Sequence, residues 1–156
     1  CADIGRIFRR QTIRPPMQIF ATDLSDQAAL EKARMGLYPE SIQSELSAER
    51  LRRFFMREEH MYRIAKPLRD LCVFARQNVA ADPPFSHVDL ISCRNLLIYL
   101  SPPLQMRVLP SFHYALNTPG FLVLGSAETI GDQGDLFELA GVDEQDPREG
   151  LRLAAG

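Results

Sequence analysis

The chain has 156 residues, 46% of them hydrophobic and 24% charged, which is ordinary for a single soluble globular domain. No apolar run approaches the roughly 20 residues that are needed to span a bilayer, so we expect a protein that is not embedded in a membrane. The net charge of −2 gives no electrostatic reason to expect nucleic acid as a partner. Small molecules or other proteins are therefore the expected partners.

The cysteines and histidines indicate neither a disulfide scaffold nor a metal site. Cys1, Cys72 and Cys93 are odd in number and have no CxxC spacing, a pattern that is typical of the reducing cytoplasm. The three histidines lie far from one another and from cysteine at any spacing that metal ligands use. We predict a cytoplasmic protein without a bound metal.

The first part of the chain predicts a helix, a strand and a second helix. Residues 2–10 are amphipathic, as in the second half of a helix. The apolar run that begins at Met17 ends in Asp23, which predicts a strand followed by a turn. Ser25 can cap the next helix. The apolar stripe of that helix consists of Leu30, Ala33 and Leu37.

A small inserted subdomain is predicted at about residues 49–70. A helix capped by Ser47 opens the region, and the arginines around it are typical of a solvated face or, alternatively, of a partner-binding strip. The alternation over Met61–Ile64 predicts an exposed strand. Beyond this subdomain, the run Leu71–Ala75 is apolar enough for a strand that is buried on both faces.

The second half of the chain continues the alternation of strands and helices. The run Val88–Cys93 predicts a buried strand, and Ser101 caps a helix that should extend towards Leu116. Pro110 lies deep inside that helix, so we expect a kink or a break there.

The last predicted elements are a turn and two strands. A turn is predicted over 117–120, a buried strand over 121–124, and a final edge strand over Leu151–Leu153. Alternating strands and helices predict an α/β fold with a parallel, doubly wound sheet.

Arg94 is the first candidate site residue, because it follows the strand Val88–Cys93 and precedes the phenol of Tyr99. The carboxyl ends of strands in open α/β sheets are where ligands bind. Leaving a partly desolvated guanidinium without a partner costs roughly several kcal/mol, so Arg94 is expected to meet a partner. Position alone allows either a ligand or a structural salt bridge.

Two further segments carry groups that suit a nucleoside. Asp23 ends a strand, and its carboxylate could accept hydrogen bonds from two ribose hydroxyls or could help to cap the helix at Ser25. Asn78 and Val79 follow the strand predicted over Leu71–Ala75. A side-chain amide and backbone groups could pair with an adenine edge there.

The order and spacing of these pieces resemble the chemotaxis receptor methyltransferase family (CheR), protein-glutamate O-methyltransferases. The resemblance covers about residues 17–137. Its matching segments are Ile19–Asp23, Ala33–Tyr38, Leu51–Phe55, Phe74–Asn78, Phe85–Asp89, Ile91–Tyr99 and Gly125–Glu128. The stretch from Asp70 to Tyr99, with the loop 126–131, is most similar to versions fused to methylesterase and sensor domains.

The resemblance implies a Rossmann-like class I fold that binds S-adenosylmethionine, with S-adenosylhomocysteine as the product and no metal. Asp23 would hold the ribose, and Asn78 and Val79 would flank the adenine. Cys93 and Arg94 would line the cofactor near its reactive end. Arg94 and Tyr99 would position the substrate carboxylate, which belongs to the cytoplasmic region of a receptor.

Residues 1–156 correspond, by the same resemblance, to a fragment of the C-terminal catalytic domain. The family's first strand and glycine-rich acidic loop come before the helix at residues 2–10, so we expect a sheet that lacks the strand between those of Asp23 and Arg94. Such a fragment should be inactive by itself. Two alternatives stay open, namely a non-catalytic signalling module of this fold and a nicotinamide-dependent oxidoreductase, which uses an acid after the second strand equally well.

Overall fold

A computed structural model describes residues 16–24, 27–142 and 151–155. The helix predicted over 2–10 and the cap predicted at Ser25 lie outside the described residues. The chain divides after Gln77 into two compact units, which are described separately below.

The first unit contains a parallel pair of strands and a three-stranded antiparallel sheet. Its strands are β1 (Ile19–Asp23), β2 (Leu37–Pro39), β3 (Phe55–Glu58), β4 (Met61–Ile64) and β5 (Cys72–Arg76). Its helices are α1 (Gln27–Met35), α2 (Ala48–Phe54) and α3 (Lys66–Arg69), with a 3-10 helix over Glu40–Ser44. Strands β1 and β5 pair in parallel, and the antiparallel sheet has the order β2-β4-β3. The predicted cap is confirmed at Ser47, whose hydroxyl accepts a hydrogen bond from the backbone N–H of Arg50 at 3.2 Å.

Helix α1 ends earlier than its apolar stripe predicts. Gly36 has a φ of 63°, a left-handed conformation that stops a helix and that glycine adopts without a steric penalty. Leu37 therefore belongs to β2 and not to the helix. The prediction that Leu37 completes the helical stripe is wrong.

Strand β4 is the central strand of the antiparallel sheet, so the prediction that it is exposed is wrong. It pairs with β2 on one side and with β3 on the other, and Tyr62 at its centre is buried. The sheet begins at Leu37, before the insertion predicted at about 49–70, because Leu37 pairs with Arg63.

Strand β5 is not buried on both faces. Val73 is 44% exposed and is in register with Phe20 of β1, which is 50% exposed, so these side chains share one accessible face. Helix α1 packs against β5, and the Arg34 guanidinium donates a hydrogen bond to the Phe74 carbonyl at 2.7 Å. The apolar run correctly predicted a strand, but an apolar run does not show whether one or both faces of the strand are buried.

The second unit is a four-stranded mixed sheet. Its strands are β6 (Val88–Cys93), β7 (Leu116–Leu124), β8 (Phe137–Val142) and β9 (Leu151–Ala155), and its helices are the 3-10 helix Leu97–Tyr99 and α4 (Pro102–Ala115). The strand order is β6-β7-β9-β8, with β6 and β7 parallel and β9 antiparallel to both of its neighbours. The predicted bounds of β6 are confirmed.

The core of the second unit lies where α4 and the 3-10 helix pack against the sheet. Leu97, Leu109, Leu122, Leu124 and Leu153 are each less than 2% exposed. Burying a leucine side chain contributes roughly 1.5–3 kcal/mol, so this cluster is a main source of the stability of the unit. It also anchors the 3-10 helix directly after β6.

Two predictions about the second unit are wrong, and a third is tested only in part. Strand β9 lies between β7 and β8 and is not an edge strand, since β8, which was not predicted, covers its other side. The predicted turn at 117–120 is an irregularity within β7, because Val88 pairs with Leu116 while Leu90 pairs with Phe121. Helix α4 continues through Pro110, which is exposed, so the predicted break is absent, whereas the alternative of a kink stays a prediction.

The fold is of the predicted α/β kind, with parallel pairs β1–β5 and β6–β7. Strands β8 and β9 and the sheet of β2, β3 and β4 make it a mixed rather than a parallel arrangement. Within residues 16–24, 27–142 and 151–155, no helix has the length and apolar character that crossing a membrane requires.

Candidate functional site

The candidate site of the second unit is the turn that leaves β6. Arg94 is exposed directly after the strand, and Asn95 adopts a left-handed conformation with a φ of 57°. The 3-10 helix follows at once, and its last residue, Tyr99, is 78% exposed. Arg94 and Tyr99 thus lie on one short turn, in which Leu97 between them is buried. We call residues 94–99 the β6 turn.

The carboxylate of Glu128 holds the β6 turn from one side. Its Oε1 accepts hydrogen bonds from the backbone N–H groups of Leu96 and Leu97, each at 2.8 Å, and its Oε2 accepts one from the backbone N–H of Gly125 at 2.7 Å. Glu128 is only 8% exposed. The carboxylate therefore joins the β6 turn to the loop that follows β7.

Burial tends to raise the pKa of the Glu128 carboxyl, but the N–H groups of Leu96, Gly125, Leu97 and Asn95 outweigh burial and hold that pKa below its ordinary value. The side chain is therefore ionised at neutral pH. Its negative charge is stabilised by backbone dipoles, in the way that anions are held where several N–H groups converge.

Gln105 of α4 holds the β6 turn from the other side. Its side-chain N–H group donates to the carbonyl of Leu97 at 2.8 Å and to the carbonyl of Leu100 at 3.1 Å. The N–H groups of Leu96 and Leu97 thus bind the Glu128 carboxylate, and the carbonyls of Leu97 and Leu100 bind the Gln105 amide. Both kinds of backbone group are paired, which favours one conformation of the segment.

Cys93 lies just before the turn, within the buried core of the unit. Burial, with a smaller effect of the Glu128 charge, raises the pKa of the Cys93 thiol to about 12. The thiol is therefore neutral at physiological pH and is not a nucleophile there. Its predicted place beside the cofactor stays a prediction.

Asn78 and Val79 lie on the loop that opens the second unit. The backbone N–H of Asn78 donates to the Asp82 carboxylate at 2.7 Å, and the Asn78 side-chain oxygen accepts from the backbone N–H of Ala80 at 3.1 Å. The side-chain NH2 group is then the part of Asn78 that is suited to meet a ligand acceptor. Val79 is half-buried and packs against the core of the unit, which holds this part of the loop in place.

Asp23 belongs to the first unit, where it is the exposed last residue of β1 and pairs in register with Arg76. Its backbone carbonyl accepts a hydrogen bond from the N–H of Gln77 at 3.0 Å. Asp23 therefore has the strand-end position that was predicted for it.

The structure places Arg94 and Tyr99 on the β6 turn, the buried Cys93 directly before it, and Asn78 and Val79 on one loop of the same unit. Sequence reasoning missed Glu128 and Gln105. The available signal was Gly125 at the end of a strand with an acid three residues later. Across residues 16–24, 27–142 and 151–155, no group of three or more His, Cys, Asp or Glu side chains is arranged to hold a metal ion.

Comparison with protein families identifies the domain. Residues 7–145 match the family described as "CheR methyltransferase, SAM binding domain". The chain belongs to the CheR family. The match extends over most of the 156 residues and includes every predicted site residue.

Curated relatives agree with this CheR assignment. The chain is 40% identical, over 132 residues and 85% of its length, to an uncharacterized 104.1 kDa protein in the hypE 3′ region of Rhodobacter capsulatus, of which the match covers 14%. It is 39% identical to a putative methyltransferase, Cher3, of Pseudomonas putida, with 72% of this chain and 44% of that protein covered. A chemotaxis protein methyltransferase of Vibrio parahaemolyticus is 34% identical, with 84% and 48% covered. The chain thus spans less than half the length of these relatives.

Proposed function

We propose that the chain contributes to methyl transfer from S-adenosylmethionine to glutamate side chains of chemotaxis-type receptors. The observation that carries the proposal is the β6 turn, which presents the exposed Arg94 and Tyr99 at the carboxyl end of a strand in a CheR domain. Relatives from Vibrio parahaemolyticus and Escherichia coli that are named chemotaxis protein methyltransferases support the reaction class. The family match favours a methyl donor over the nicotinamide alternative.

The residues that are present suit the proposed cofactor. Asp23 offers an exposed carboxylate for the two ribose hydroxyls, and Asn78 offers a side-chain NH2 group whose neighbouring oxygen is already bonded to Ala80. The backbone of Val79 would flank the adenine, and Cys93 and Arg94 would line the reactive end. No metal is required. When bound, S-adenosylmethionine supplies a methyl group on a positively charged sulfur.

Arg94 and Tyr99 would act on the substrate carboxylate. The guanidinium of Arg94 pairs with a carboxylate through charge-assisted hydrogen bonds, and the phenol of Tyr99 donates a further one. They would hold one carboxylate oxygen in line with the methyl group that bound S-adenosylmethionine would supply, leaving S-adenosylhomocysteine. A glutamate with an ordinary pKa of about 4.3 is already ionised near neutral pH, so no general base is needed. Orientation supplies most of the catalysis.

The proposed setting is the cytoplasm, where the cytoplasmic region of a receptor carries the methylated glutamates. We include fused methylesterase and sensor domains in the proposal. The relative from Rhodobacter capsulatus is long enough to contain further domains, since the match covers 14% of a 104.1 kDa protein.

The cofactor assignment is tested by titrating S-adenosylhomocysteine into the natural full-length protein and following the heat. Binding is expected, with a loss of at least about tenfold in affinity for Asp23→Ala, since a charge-assisted hydrogen bond contributes about 1.5–3 kcal/mol. Glu31→Ala, which removes an exposed acid from α1 of the same unit, is the matched control and should bind normally. Binding that is unaffected by Asp23→Ala would overturn the ribose assignment, and binding of NADH instead would support the oxidoreductase.

The substrate assignment is tested by measuring methyl incorporation into receptor glutamates. Arg94→Ala should lower turnover more than it lowers cofactor affinity, whereas Arg107→Ala on the exposed side of α4 should change neither. A larger effect of Arg94→Ala on cofactor affinity would move this arginine to the cofactor. Protein that binds cofactor but methylates no receptor glutamate would favour the non-catalytic signalling module. In the same assay we expect residues 1–156 alone to be inactive.

A further inference from the structure

We infer that Glu128 is a positioning residue that holds Arg94 and Tyr99 in their working arrangement, with Gln105 supporting the same turn from the opposite side. This inference rests on the proposed function, because it assigns to Glu128 a role towards the two residues that would meet the substrate. Glu128 itself is buried and its contacts are with the backbone.

The Glu128 side chain alone accepts three hydrogen bonds from backbone N–H groups. Two consecutive N–H groups, those of Leu96 and Leu97, converge on Oε1, while the N–H of Gly125 meets Oε2. A carboxylate offers two oxygens and no donor, so both of its ends can accept. An amide of the same shape has an NH2 group at one end and cannot accept there. The arrangement therefore requires a carboxylate and not simply a polar side chain.

Two of these hydrogen bonds lie between the two candidate substrate-binding residues along the chain. Leu96 and Leu97 stand between Arg94 and Tyr99, so the carboxylate fixes the backbone midway between the two predicted substrate-binding side chains. Leu97 is 1% exposed and belongs to the core, which anchors the same point from below. Both exposed side chains thus project from a backbone segment that has little freedom to shift.

The surroundings of the Glu128 carboxylate do not suit a direct chemical role. Its oxygens are engaged by backbone N–H groups, and the pKa of the carboxyl is held below its ordinary value by those same groups. A group with this environment is a poor general base, because protonation would disrupt hydrogen bonds to the charged form. Glu128 therefore acts by fixing the conformation of the β6 turn.

The closing experiment compares Glu128→Gln with Glu138→Gln in the natural full-length protein. Glu138 is an exposed acid of β8 and serves as the matched control. For Glu128→Gln, we expect kcat for receptor methylation to fall roughly 10- to 100-fold, since displacements of about 1 Å have effects of that size. The affinity for S-adenosylhomocysteine should change much less, and Glu138→Gln should change neither quantity. Glu128→Asp, which keeps the charge, should recover part of kcat.

A second variant and a second measurement keep the inference testable if Glu128→Gln does not fold. Gln105→Ala leaves the carboxylate in place and removes the donor to the carbonyls of Leu97 and Leu100, so it should also lower kcat more than cofactor affinity. Backbone amide relaxation by NMR should show increased mobility at residues 94–99 in either variant and not in Glu138→Gln.

The outcomes separate this inference from the proposed function. Wild-type protein that methylates receptor glutamates while folded Glu128→Gln keeps its kcat would overturn the positioning role alone. Wild-type protein that transfers no methyl group would overturn the proposed function. In that case, unchanged mobility of residues 94–99 in Glu128→Gln would also overturn the structural part of the inference, and increased mobility would support that part.

Discussion

Gly125→Ala is expected to destabilise the second unit, because the new methyl group would collide with the Glu128 carboxylate. A Cβ built on Gly125 would lie 2.7 Å from Glu128 Oε2 and 3.5 Å from its Cδ. Contacts under 3.0 Å are essentially never seen for real Cβ atoms, so the carboxylate must move. Any movement lengthens its hydrogen bonds to Gly125, Leu96 and Leu97.

The magnitude follows from those hydrogen bonds. A bond to a charged group contributes about 1.5–3 kcal/mol, so weakening one or two of the three should cost about 2–5 kcal/mol in the free energy of unfolding. Alanine restricts the unfolded chain more than glycine does, which offsets about 0.4–1 kcal/mol of this loss. A net destabilisation of about 1.5–4 kcal/mol is therefore expected.

Urea unfolding followed by far-ultraviolet circular dichroism measures this change, since the chain contains no tryptophan to report by fluorescence. Gly134→Ala is the matched control, because nothing lies within 4 Å of a Cβ at that position, and it should shift the free energy of unfolding by less than about 1 kcal/mol. In a Glu128→Ala background, Gly125→Ala should lose most of its effect. A Gly125→Ala protein that is as stable as the control, or an effect that persists without the carboxylate, would refute a collision with Glu128.

Two further predictions concern titratable groups of the second unit. Because the pKa of Glu128 is lower in the folded protein than its ordinary value of 4.5, its contribution to stability is present above that value and is lost as the pH falls through the folded pKa. The difference in unfolding free energy between wild type and Glu128→Gln should therefore shrink on acidification, and urea titrations that give a constant difference would contradict this. Cys93 is buried and its thiol has a pKa of about 12, so it should react with Ellman's reagent only after unfolding. Comparing reaction traces of wild type and Cys93→Ala with and without urea checks this, and a native trace that changes in Cys93→Ala would contradict it.

The sequence predicted the elements whose cause is local. The run Val88–Cys93 forms β6 because apolar, β-branched residues suit a strand, and Ser47 caps α2 through a hydrogen bond to the backbone three residues later. The candidate site residues Arg94, Tyr99 and Asp23 were placed at strand ends for the same reason, since a strand end can be read from a short stretch of residues. The family resemblance was likewise carried by short segments.

Features that depend on distant partners were decided only by the tertiary structure. Strand β9 is interior because β8 pairs along it, and no pattern within Leu151–Leu153 contains that information. The residues at 117–120 look like a turn, yet they form an irregular part of β7 because the strand pairs with β6 on either side of them.

Glu128 is the residue whose role was hardest to predict from the sequence. By itself it is an acid in a loop, which local patterns assign to solvent. It is buried because backbone N–H groups 31 and 32 residues earlier in the chain converge on its carboxylate and replace water. The sequence alone therefore identified which side chains the β6 turn presents, whereas only the packing of two strand ends revealed the group that holds the turn in place.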